Sequence, residues 1–181
     1  MACVQLAACV ELAKPPVISY SPESFQHLYK ISRWTFNGRI ALRNVQESWS
    51  ANIKWSHQLH EDLLKFSGPF GQGAMLVAIK PDRIQIDHGN GQLESSAEIN
   101  AFILQKLGFF VPVQSLRYWV TGLADPQYAL TLIDAGFEQF GWTVQYQKFI
   151  SVKGQFLPQK IHIQKGAAKM QLIIDQWAID V

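Results

Sequence analysis

Two histidines three residues apart, His57 and His60, flank a turn between two strand-like segments. Zinc sites use such spacings, but no carboxylate or third ligand is patterned with them. Both are therefore expected as solvent-exposed turn residues, and no metal is expected. Glu61 and Asp62 follow directly, and paired carboxylates can run acid–base chemistry. Neighbours on a strand point to opposite faces, so this pair does not converge. His27, His88 and His162 each stand alone. The run Ser67-Gly68-Pro69-Phe70-Gly71-Gln72-Gly73 is rich in glycine but lacks the Lys and Ser/Thr of a phosphate-cradling loop. No nucleophile elbow or zinc motif occurs. No catalytic residue, no cofactor and no enzymatic activity are expected.

The remaining chemistry is apolar. Trp49, Ile53, Trp55, Trp142 and Tyr146 fall on the inward phase of alternating segments, and Leu116 and Trp119 share a helical stripe. Any one of them fits a plain core. Together they line more apolar surface than a small barrel usually fills, which points to a cavity for lipid or acyl chains. Phe70 is the odd member, a large aromatic in a turn. Gly68 and Gly71 free the backbone on either side, and Pro69 stiffens it. The side chain either folds back on the core or projects into a bilayer or a partner's pocket.

Positioning these side chains falls mostly to strands. Trp34–Arg43 alternates Phe36, Gly38, Ile40 and Leu42 with Thr35, Asn37, Arg39 and Ala41. Ser48–His57 alternates Trp49, Ala51, Ile53 and Trp55 with polar residues, the mark of an antiparallel strand with one wet face. Glu61–Ser67, Gln72–Lys80, Asp82–Asp87 and a short sixth segment continue the series. Ser95 and Glu98 fit a capping box that opens a helix carrying Ile99, Phe102, Ile103 and Leu107, closed by Gly108. A second helix begins at Pro112 and stops near Gly122. Strands return as Tyr128–Asp134, Gly136–Phe140, Trp142–Ser151, Gln159–Gln164 and Lys169–Ile179. The last changes phase between Ile174 and Trp177, which implies a bulge. Ser24–Arg33 reads as a short helix. The fold expected is mainly β: a half-open antiparallel barrel of about 11 strands, with two or three helices covering or plugging it and an apolar cavity inside.

Composition sets the bounds. The chain has 181 residues, one domain's worth, with 48% hydrophobic and 17% charged residues. Net charge is +2 without a basic run, so no nucleic-acid partner is expected. Nothing reaches eighteen consecutive apolar residues. The two cysteines, Cys3 and Cys9, both lie in the first ten residues. Leu6-Ala7-Ala8-Cys9 resembles a lipobox. Residues 1–9 are expected as a shortened lipoprotein signal, 10–24 as a proline-rich tether, and 25–181 as the folded domain.

An ordered set of motifs resembles the LolB family, outer-membrane lipoprotein receptors of Gram-negative bacteria. The pieces are Trp34–Arg39, Trp49–Trp55, Gly68-Pro69-Phe70-Gly71, Val111–Leu123, Gly141–Tyr146, Leu157-Pro158 and Ile174–Trp177. The resemblance implies acylation at Cys9 and a place on the periplasmic face of the outer membrane. It also implies a LolA-like periplasmic carrier as donor, acylated lipoprotein cargo, and delivery into the inner leaflet of the outer membrane by a monomer. Phe70, with Gly68, Pro69 and Gly71, occupies the family's membrane-insertion loop, where Leu is usual. From the residues alone, a lipocalin-like carrier of small apolar ligands and a purely structural envelope domain stay open.

Overall fold

The computed structural model describes residues 20–45, 47–68, 73–107 and 110–180. Among them, eleven strands form one antiparallel sheet: β1 Arg33–Arg43, β2 Ser48–Gln58, β3 Glu61–Ser67, β4 Met75–Ile79, β5 Ile84–Asp87, β6 Leu93–Ser96, β7 Thr131–Ile133, β8 Gly136–Gln139, β9 Trp142–Val152, β10 Gln155–Lys165 and β11 Ala168–Ile179. The spatial order is β6-β5-β4-β3-β2-β1-β11-β10-β9-β8-β7. Two meanders are thus joined where β1 pairs with β11. β6 and β7 end the order unpaired with each other, so the barrel is half open, as the sequence led us to expect. The helices are α1 Pro22–Phe25, continued by a 3-10 turn Gln26–Lys30, α2 Ile99–Leu107 and α3 Val113–Trp119.

Alternation builds the concave face. Ala51, Ile53, Trp55 and His57 of β2 are buried while Ser50 and Lys54 are exposed. On β9 the buried set is Trp142, Val144 and Tyr146. The phase change in the last strand is a bulge. Asn37 pairs with Gln176 but Gly38 pairs with Ile174, which leaves Asp175 as the extra residue. Asp175 is thereby aimed at Arg39, 3.0 Å away. The strands approach so closely here that a Cβ on Gly38 would lie 2.3 Å from the Ile173 carbonyl oxygen. That is why glycine occupies the middle of β1.

Two local expectations are corrected. Ser95 and Ser96 both belong to β6, and it is Ser96 Oγ that takes the Glu98 amide, at 3.0 Å in the turn leading to α2, in place of the expected Ser95–Glu98 box. β7 is only three residues long because the Gln139 amide captures the Tyr128 carbonyl at 2.9 Å, holding the preceding chain as a loop.

Candidate functional site

The concave face is not empty: α3 lies across it and is fastened to both arms of the open sheet. On the β8–β9 side, the Trp119 indole donates to Gln139 Oε1 at 2.9 Å. The Tyr146 hydroxyl donates to the Trp119 carbonyl at 2.8 Å. Gln139, itself 2% exposed, also accepts the Asp125 amide and donates to the Asp125 carbonyl. Ser115 of α3 donates to Asp125 Oδ2. On the other side Arg117 reaches Asp62 of β3, with Nη2 3.5 Å from Oδ2. Between β3 and β9 in the sheet stand β2, β1, β11 and β10. α3 is thus a crossbar spanning the half-barrel.

Asp62 anchors one end of that bar. Its Oδ1 accepts the Trp55 indole N–H and meets His57 Nδ1, each at 2.9 Å. Trp34 stacks on the His57 ring at 5.2 Å. His57 is therefore buried rather than a solvent-exposed turn residue, and this corrects the expectation. The physical reason is its phase: it is the next inward position after Trp55, and Asp62 supplies the polar partner that burial demands. His60 is exposed, as expected. Glu61 and Asp62 do face opposite ways, the first exposed and the second buried. Among the described residues no three His, Cys, Asp or Glu gather as a metal site.

The residues expected to shape the interior meet there with one exception. Ile53, Trp55, Leu116, Trp119, Trp142 and Tyr146 all belong to one buried cluster. Trp49 stands at the rim, 40% exposed, with its ring edge-on to Phe66. Gly68 is described, and its carbonyl accepts the Asn52 amide at 3.2 Å. Cys9, Pro69, Phe70 and Gly71 lie outside the described residues.

Among the described residues, inward side chains of the sheet pack around α3, and clefts open beside them. One cleft of about 250 Å³ lies between the β2–β3 turn, the 3-10 turn and the end of α3, lined by Trp34, His57, His60, Arg117 and Tyr118 among others. A second of about 220 Å³ is bounded by Phe25, Phe149 and Phe156. Neither reaches the roughly 300–1,000 Å³ of drug-sized ligand pockets.

Two phenols report how dry this interior is. Burial pushes the Tyr146 hydroxyl well above its ordinary range, with smaller contributions from the Tyr20 and Tyr29 phenols. Burial also raises Tyr20, whose hydroxyl donates to the Gly122 carbonyl at 2.9 Å. Residues that sequence reasoning missed are the polar ones on inward phases: His57, Asp62 and Gln139, with Arg117 on α3. Their signal was a polar side chain where alternation calls for an apolar one.

The half-barrel with a helical crossbar and an apolar concave face is the LolA/LolB type of architecture. The sequence profile of the family described as outer membrane lipoprotein LolB matches residues 32–177, and the chain belongs to that family. It is similar to the outer-membrane lipoprotein LolB of Stutzerimonas stutzeri, 32% identical over 162 residues covering 86% of this chain and 78% of that protein. The LolB of Marinomonas sp. is 31% identical, covering 82% and 81%. That of Chromohalobacter salexigens is 29% identical, covering 96% and 86%. Among solved structures, a LolA superfamily protein from Nitrosomonas europaea shares the fold, with a TM-score of 0.54, 10% identity, and coverage of 88% of this chain and 92% of that one. Membership makes the chain a LolA/LolB-type lipoprotein transport protein of the outer membrane, not an enzyme.

Proposed function

We propose that the protein receives lipoproteins from a LolA-like periplasmic carrier and shelters their acyl chains against the concave face. It then places them in the inner leaflet of the outer membrane, held there by an acylated Cys9 and acting as a monomer. The observation that carries this reading is the buried cluster on the inward phases of a half-open sheet, Ile53, Trp55, Trp142 and Tyr146, with Leu116 and Trp119 supplied by α3.

Acceptance requires the interior to open, and the two inner helices are fastened differently. α3 is held by hydrogen bonds and an ion pair to both arms. α2 is held by the buried side chains Ile99 and Ile103 and by the Lys106–Glu94 ion pair. Apolar contacts are non-directional and can be replaced one for one by acyl chains, whereas the α3 hydrogen bonds have no substitute in hydrocarbon. α2 is therefore the cover that lifts, and α3 is the fixed floor.

Each methylene sheltered is worth about 0.8 kcal/mol, so a modest difference in apolar area between carrier and receptor sets the direction of transfer. Release needs contact with the bilayer, the role assigned to the Gly68–Gly71 loop and Phe70. The test is Phe70→Glu in a reconstituted transfer assay with carrier, receptor and vesicles. Acceptance should persist while insertion falls; unchanged insertion together with unchanged acceptance defeats the loop assignment.

A further inference from the structure

The two ends of the half-barrel are charged differently. At the end holding the β2–β3 and β4–β5 turns, three cations are matched, Arg33 with Asp180, Lys80 with Glu61 and Arg83 with Asp82, while Lys153 of the β9–β10 turn donates to the Ile179 carbonyl. At the opposite end Arg43 closes β1 directly across from Lys169 of β11. Lys165 closes β10 on the other side of the β10–β11 turn. All three are exposed, and none takes part in an ion pair among the described residues. Like charges placed directly opposite on a sheet are destabilising. Here they stand together without a carboxylate partner, although Glu47 lies in the adjoining turn.

Apolar side chains accompany them. Val45, in the β1–β2 turn that Asn44 and Glu47 close, is 85% exposed, and Trp49 at the start of β2 is 40% exposed. Gly68, the described stem of the β3–β4 loop, is hydrogen-bonded to Asn52 and belongs to this same end. Exposed cations beside an exposed Trp and a projecting aliphatic residue match the layers of a bilayer surface: phosphates outside, then the interfacial zone that amphipathic rings favour.

We propose that this end of the half-barrel is a docking face for an anionic bilayer surface. Arg43, Lys165 and Lys169 meet lipid phosphates while Val45 and Trp49 enter the interfacial zone. The inference deepens the proposed function by adding an electrostatic footing at the end of the sheet that carries Gly68. It orients the β2–β3 end, where Arg33, Lys80 and Arg83 are paired with carboxylates, away from the membrane.

The test uses the full chain carrying Cys9→Ser, so that no acyl anchor contributes, and vesicles of phosphatidylethanolamine with or without a quarter phosphatidylglycerol. Co-sedimentation should be strong with the anionic lipid, weak without it, and reduced by salt. The triple variant R43Q/K165Q/K169Q should bind the anionic vesicles more weakly, on the order of a hundredfold for three surface cations. Leu59→Ser with Phe156→Ser, at the opposite end, should change little. Unchanged urea midpoints confirm folding in each case. Equal binding by the triple variant and the Cys9→Ser parent overturns the proposal, as does loss confined to the Leu59/Phe156 variant. Acceptance from the carrier without vesicles should be unaffected by the triple variant. Absence of acceptance in the parent would instead sink the receptor reading and leave the docking result standing.

Discussion

Tyr146→Phe probes whether α3 is a fixed floor. The substitution deletes one oxygen and keeps the ring among Tyr20, Phe137 and Phe149. It removes the hydroxyl that donates to the Trp119 carbonyl at 2.8 Å, in surroundings where Tyr146 is 1% exposed. The Trp119 carbonyl keeps the Gly122 amide at 3.2 Å, so the loss is that of one buried hydrogen bond, about 0.5–1.5 kcal/mol. A second signature follows from titration. Burial raises the folded phenol above its unfolded value, so the folded state keeps its proton where the unfolded chain loses it. Stability from this group is complete below about pH 10 and declines as pH rises towards the folded value, by about 1.4 kcal/mol per pH unit for each such phenol. Tyr20 adds a decline of the same sign. Urea unfolding at pH 8 should show the variant less stable by about 0.5–1.5 kcal/mol. Between pH 10 and 11.5 its stability should fall less steeply than that of the wild type by one phenol's share. Equal stability at pH 8 and parallel slopes above pH 10 would refute the claim that this hydroxyl bolts α3 to the sheet.

Three further outcomes follow from the same geometry. Gly38→Ala places a Cβ against the Ile173 carbonyl and should destabilise by about 1–3 kcal/mol or more in urea unfolding, with the β1–β11 pairing losing amide-exchange protection. Asp62→Ala leaves the buried Trp55 indole N–H and His57 without their acceptor and the half-buried Arg117 without its carboxylate, and should cost about 1–3 kcal/mol. Lys106→Gln breaks the exposed pair with Glu94 and should speed acceptance of cargo a fewfold without shifting the urea midpoint; Tyr146→Phe, acting on α3, should not speed it.

Much of this was legible in the sequence because period-two alternation survives wherever one face is wet. Trp49 to Trp55 and Trp142 to Tyr146 named their strands, and the slip between Ile174 and Trp177 named the bulge at Asp175. The same alternation carried further would have placed His57 and Asp62 indoors. The polarity of His57 argued for an exposed turn and Asp62 was read only as diverging from Glu61; the three-dimensional meeting of Trp55, His57, Asp62 and Arg117 shows what satisfies them. Gln139 is a similar case, since its partners Trp119, Asp125 and Tyr128 come from a separate stretch of chain. The box expected from Ser95 fails because β6 runs on through Ser96, so Ser95 is spent on strand pairing. Trp49 was assigned to the interior by phase alone, but it lies where the strand leaves the core, and phase says nothing about depth along the barrel.

The most direct measurement is the transfer step itself. A labelled lipoprotein bound to a purified LolA-like carrier is mixed with this chain carrying Cys9→Ser, with no vesicles present, and the two proteins are separated. The label should move to this chain and remain soluble with it. If it stays on the carrier, while the chain still binds a free fatty acid, the protein is a carrier of small apolar ligands and not a lipoprotein receptor.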